Sequence, residues 1–216
     1  MHQNIIFMNF VFGTINAGII LALSYYFLPR NKLLQSYFQK HQKFLHPNKI
    51  SLYRAVSGPI IALIILLWDL NWITLSLIIQ AVIIMAASDA LDGQIARNCQ
   101  LETEKWKSFD ALADKYFDLP ILLVSTWTVL PSYVFLIIGI VIFDIIGQSI
   151  RKKTDNPAAN TIWKSKTCCK FVTLILLLIM LIENNSIYQN IAIIWLFLSF
   201  ILWCISMILK YISQKK

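Results

Sequence analysis

Long apolar runs dominate the chain, and short polar intervals separate them. The runs cover roughly 4–28, 50–69, 73–97, 108–129, 132–151, 166–183 and 188–210. Each approaches the ~20 residues that cross a bilayer as a helix, so the pattern predicts seven spans in an all-α integral membrane protein. The intervals "DLNW", "LPS" and "ENNS" read as tight polar turns. The first run lacks a basic start and a small-x-small cleavage site, which favours a helix over a signal peptide. Residues 30–46, "RNKLLQSYFQKHQKFLH", break the pattern. There Leu33, Leu34, Tyr37, Phe38, Phe44 and Leu45 form an apolar side among lysines and glutamines. This predicts an amphipathic helix lying in the membrane interface and ended by Pro47. The expected organisation is an extra N-terminal span over 1–29, the interfacial helix over 30–46 and one membrane domain over 47–216.

Composition strengthens the membrane reading. The 216 residues are 58% hydrophobic and 14% charged, whereas a soluble domain carries about 25% charge. The net charge of +8 would suggest nucleic acid in a soluble protein. Here the basic residues sit between apolar runs, so topology and anionic headgroups explain them and nucleic acid is not an expected partner. With seven alternating spans, all nineteen Lys and Arg residues fall on one side. The positive-inside rule then puts the N-terminus outside. The expected setting is a bacterial cytoplasmic membrane. Cys99, Cys168, Cys169 and Cys204 form no zinc-type spacing, and neither a disulfide nor zinc is expected.

The acidic residues change the picture most. Five aspartates lie in "SDALDGQIARNCQLETEKWKSFDALADKYFD", residues 88–118. Asp89 and Asp92 share a helix face near the end of the third span, and Asp110, Asp114 and Asp118 share a face of the fourth. The short connection over about 98–107 makes the two helices antiparallel neighbours, so both carboxylate sets meet near the cytoplasmic surface. Carboxylates so close repel unless a cation sits among them. An oxygen-only ligand set suits Mg²⁺ or Mn²⁺, and two such ions would clamp a phosphoryl transfer. Gly93 permits close approach of a bulky phosphate ligand, and Arg97 offers it a planar fork. Asp118 lies one turn deeper. Glu102, Glu104 and Asp155 read as solvated charges in connections. An intramembrane Mg²⁺-dependent prenyltransferase and a divalent-cation transporter use similar carboxylates and stay open on residue type alone. The close pairing argues against the first, and the position at helix ends, away from the midplane, argues against the second.

The pattern Asp89, Asp92, Gly93, Ala96 and Arg97, followed by Asp110 and Asp114, resembles the CDP-alcohol phosphotransferases. The resemblance covers about residues 47–210. It implies a six-helix transmembrane bundle preceded by an amphipathic helix, usually as a homodimer. It also implies that Asp89, Asp92, Asp110 and Asp114 hold two divalent cations and that Asp114 is the general base. Asp89, Gly93, Ala96 and Arg97 would then hold the cytidine nucleotide. One position departs: Trp106 stands where the family has its second glycine, and a shift of one or two residues would bring Ser108 there instead. A catalytically silent member is the reading that this departure leaves open.

Two further stretches, "HPNKISLYRAVSGP" (46–59) and "WKSKT" (163–167), are similar to segments of phosphatidylglycerophosphate synthases. The Arg-Glu pair of those enzymes aligns with Phe143 and Asp144. Arg54, Arg151, Lys164 and Lys166 are the candidate pocket for an acceptor phosphate. The implied reaction transfers the phosphatidyl group of CDP-diacylglycerol to an alcohol and releases CMP. Glycerol 3-phosphate is the first expectation for the acceptor, with phosphatidylglycerol, serine or an inositol compound as alternatives.

Overall fold

The computed structural model describes residues 2–151, 157–183 and 185–214, and every regular element among them is helical. The first apolar run forms α1 (His2–Ala22), continues through a π-helical turn (Leu23–Phe27) and ends in the short α2 (Leu28–Arg30). Asn31 starts α3 (Lys32–Lys40) by accepting from the backbone N–H groups of Leu33 and Leu34 at 3.0 and 3.2 Å. The predicted single interfacial helix is divided. At His41 the backbone turns out of helical geometry, the ring stacks on Tyr37, and α4 (Gln42–Leu45) begins. Of the predicted apolar side, Leu33, Tyr37 and Phe44 are exposed, whereas Leu34 and Phe38 pack inward on the protein.

Pro47 opens the next helix as well as closing the previous one. It is the first residue of α5 (Pro47–Leu67), where its missing N–H costs nothing. Asn71 caps α6 (Trp72–Asn98) in a reciprocal box with Thr74, two hydrogen bonds of 2.9 Å. Next come α7 (Glu104–Val129), α8 (Val134–Arg151), α9 (Pro157–Met180) and α10 (Ser186–Gln214). Helix α9 begins nine residues before the predicted span. Hydropathy marks where a helix meets lipid, whereas the backbone of "PAANTIW" continues the helix beyond it.

Among the described residues, four helical segments are long and apolar enough to cross a membrane: Val11–Arg30, Pro47–Leu67, Trp72–Asn98 and Ser186–Leu209. Helices α7 and α9 occupy the predicted places, but Asp114, Lys115 and Asp118 in one and Lys164, Lys166 and Lys170 in the other interrupt their apolar character. The chain is an all-α membrane protein.

Two compact units make up the chain, Met1–Ile121 and Leu122–Lys216. In the first, α1 lies on α6, and Gly13 allows close approach: a Cβ there would stand 3.3 Å from Gln80 Cα. Leu28, Ile95 and Cys99 form a buried cluster against which Leu34, Phe38, Ile50, Leu91 and Leu101 pack. This cluster ties α3 to the end of α6 that carries Asp89 and Asp92. Gly58 brings α5 onto α7, since a Cβ at Gly58 would overlap the backbone of Tyr116 and Phe117. In the second unit α10 packs on α8 and α9. Thr173 and Ser199, both buried, meet at 3.3 Å, and Gly139 accommodates the ring of Phe200.

Candidate active site

Helix α6 stops sharply. Gln100 takes a left-handed conformation (φ 58°), Leu101 N–H reaches back to Ala96 C=O at 2.8 Å, and Gln100 N–H reaches Arg97 C=O at 3.4 Å. This pair of bonds is the Schellman arrangement that usually employs glycine. The chain therefore turns over residues 99–103, and α7 begins at Glu104. Asp89 and Asp92 on α6 are thereby returned to Asp110 and Asp114 on α7, as the spacing predicts.

The four carboxylates converge on one atom, the Nη2 of Arg54. It lies 2.7 Å from Asp110 Oδ1, 3.0 Å from Asp89 Oδ1, 3.1 Å from Asp114 Oδ1 and 3.4 Å from Asp92 Oδ2. The Arg54 side chain is 1% exposed, and that of Asp92 is 0% exposed. Asp89 and Asp114 are open at 44% and 35%, so the cluster has a closed floor at Asp92 and an accessible rim. Ser51, one turn before Arg54 on α5, donates to Asp92 Oδ2 at 2.7 Å and lies 3.5 Å from Asp110 Oδ1. Asp118 is buried one turn deeper on α7.

This donor set fits a divalent cation. One oxygen from each of Asp89, Asp92 and Asp110 lies within 4.8 Å of the others. The buried Oδ1 of Asp92 has no hydrogen-bond partner among the described residues, an arrangement that is costly unless a cation uses the oxygen. Asp114 joins this trio through the shared guanidinium nitrogen.

Of the residues expected to hold the nucleotide, Gly93 and Ala96 are buried in α6 while Arg97 is exposed. The Arg97 guanidinium lies over Gly93: a Cβ there would meet its Nη2 at 3.2 Å. Asp89 lies one turn before Gly93, at the cluster's rim. Trp106 falls in the first turn of α7, but its side chain lies outside the described residues, as does that of Ser108.

The predicted acceptor residues separate into three cases. Arg54 is part of the carboxylate cluster in the first unit. Lys166, in the second unit, is 2% exposed and sets its ammonium 3.5 Å from the centroid of the Trp203 ring. The side chains of Arg151 and Lys164 lie outside the described residues.

Ser51 is a site residue that sequence reasoning missed. Its signal was a hydroxyl three positions before the one arginine of an apolar span, which puts both on one helix face.

The family model described as CDP-alcohol phosphatidyltransferase matches residues 44–209. No curated protein and no solved structure matches the chain. The matched segment holds the whole carboxylate cluster and spans well over half of the chain's 216 residues. The chain is an enzyme of the CDP-alcohol phosphatidyltransferase family, which moves a substituted phosphate group from a CDP-linked alcohol to an acceptor.

Proposed function

We propose that the enzyme transfers the phosphatidyl group of CDP-diacylglycerol to glycerol 3-phosphate, as a phosphatidylglycerophosphate synthase does. The observation that carries the chemistry is the convergence of Asp89, Asp92, Asp110 and Asp114 within 3.4 Å of a single cationic centre. These residues would hold two Mg²⁺ or Mn²⁺ ions, which would neutralise charge at the donor's diphosphate. Asp114, on the accessible rim, takes the proton from the acceptor hydroxyl. The hydroxyl oxygen forms a bond to the β-phosphorus, the bond from that phosphorus to the bridging oxygen breaks, and CMP leaves with the electron pair. Asp89, Gly93, Ala96 and Arg97 hold the nucleotide, with the Arg97 fork turning from Gly93 to meet it. Arg54 supplies positive charge beside the carboxylates for the acceptor's phosphate, and "HPNKISLYRAVSGP" and "WKSKT" support that acceptor class.

In this reading the domain over 47–216 does the chemistry at the cytoplasmic face of the membrane, and the chain works as a homodimer. Helices α3 and α4 rest in the interface, and the N-terminal span lies on α6 with its own end outside. The distribution of Lys and Arg supports that orientation.

The test is CMP release in membranes given labelled CDP-diacylglycerol, Mg²⁺ or Mn²⁺ and a panel of acceptors. Glycerol 3-phosphate is expected to give the fastest release, and Asp114→Asn to lower it by about 10²–10⁴-fold, the usual worth of a general base. Release unchanged in Asp114→Asn would remove that residue as the base. Faster release with another acceptor would reassign the substrate.

A further inference from the structure

We propose that Arg54 is a displaceable counter-ion: its guanidinium and the catalytic cations compete for the same aspartate oxygens, and Arg54 thereby sets how tightly metal binds. The inference rests on the metal-dependent reading of the site and deepens it.

Three observations carry it. First, Arg54 Nη2 stands within 3.4 Å of an oxygen from each of the four aspartates, three of which form the candidate ligand group. A dication drawing those oxygens to about 2 Å cannot share them with a positive nitrogen at the same centre. Second, the guanidinium is held by one corner. Nη2 makes all four ion pairs, whereas the buried Nε and Nη1 have no hydrogen-bond partner among the described residues. Replacing Nη2 therefore gives up the ion pairs of a single nitrogen, and no hydrogen bond of Nε or Nη1 has to break. Third, the floor of the cluster is closed. Asp92 is fully buried, one of its oxygens is unpartnered, and the other is held by the Ser51 hydroxyl at 2.7 Å. That carboxylate needs a positive neighbour at all times, and Arg54 is the one built into the chain.

Two consequences follow. The arginine holds α5, α6 and α7 together before metal arrives, and it weakens metal binding, because each ion must expel it. A site of this kind loads and unloads reversibly instead of trapping its ions.

The experiment measures Mn²⁺ binding to the full-length protein in detergent, after EDTA treatment, from the electron paramagnetic resonance signal of free Mn²⁺. Arg54→Met is expected to bind Mn²⁺ about tenfold tighter than wild type, and Arg54→Lys to fall between the two. In EDTA the unfolding midpoint of Arg54→Met should lie below that of wild type, and saturating Mn²⁺ should close the gap. If Arg54→Met stays folded only with metal, it is purified in Mn²⁺ and release on dilution is followed. Slower release than wild type supports the proposal; equal or faster release overturns it. Asp92→Asn separates the two layers. Equal binding by wild type and Arg54→Met that Asp92→Asn abolishes overturns the counter-ion proposal alone. Binding that Asp92→Asn leaves intact, or no binding at all, overturns the metal site together with it.

Discussion

Among the described residues two cations are buried, Arg54 and Lys166, and their surroundings differ. Arg54 in the first unit is enclosed by four carboxylates. Lys166 in the second lies over the face of Trp203, itself only 5% exposed. Both are withdrawn from water, yet the first answers the demand of four converging carboxylates for charge, and the second meets the negative face of an aromatic ring. Arg54 is held by groups that repel one another in its absence. Convergence of carboxylates on a buried cation marks the reactive cluster, whereas an aromatic face beside a buried ammonium does not by itself mark one.

The largest expected effect tests this contrast directly. In EDTA, Arg54→Met should cost about 3–5 kcal/mol, the penalty for leaving buried charges without a partner. Lys166→Met should cost less, since the cation–π attraction it gives up is worth about 2 kcal/mol when desolvated. Unfolding of the detergent-solubilised variants measures both, and equal losses would erase the distinction.

A smaller effect compares the two units through their glycines. Gly58→Ala sets a methyl group against the backbone of Tyr116 and Phe117, which cannot step aside. A loss of about 1–3 kcal/mol and weaker Mn²⁺ binding are expected, since overpacking here pushes α5 away from α7. Gly139→Ala meets Phe200 Cε2 at 2.6 Å, but a ring can turn. It should cost under about 1 kcal/mol and leave Mn²⁺ affinity unchanged. Metal binding impaired equally by both would deny Gly58 its place in positioning the cluster.

The smallest effect concerns the turn that brings the aspartates together. Gln100 holds a left-handed conformation that costs a side-chain-bearing residue about 1–2 kcal/mol, partly balanced by the lower chain entropy it carries when unfolded. Gln100→Gly should raise stability by about 0.5–1 kcal/mol with CMP release unchanged. A fall in the unfolding midpoint would show that the Gln100 side chain does something beyond tolerating the turn.

Much of the site was legible because it is periodic. Asp89 with Asp92, and Asp110 with Asp114, sit at helical spacings on either side of a short break, so the meeting of their carboxylates follows from the sequence alone. The place of Arg54 was not legible in the same way. Its position depends on how far α5 slides and rotates against α7, and the close approach at Gly58 sets that across more than fifty intervening residues. Ser51 was hidden for the same reason. Among the elements, the apolar runs located the helices well, and the misses fell at their ends. Helix α9 extends past its apolar part, and the interfacial segment is divided at His41 by a local backbone turn that periodicity does not encode.

The crossing at Gly58 also has a mechanical side. A contact this close would serve as a pivot four residues beyond Arg54, a distance of about 6 Å along the helix. Transmembrane helices change tilt with the thickness of the surrounding bilayer. A swing of about 10° around so short a lever arm displaces the Arg54 backbone by only about 1 Å, while the far end of α5 travels further. Gly58 lies near the middle of α5, so both ends of the helix would travel further than Arg54, which sits close to the still point of the swing.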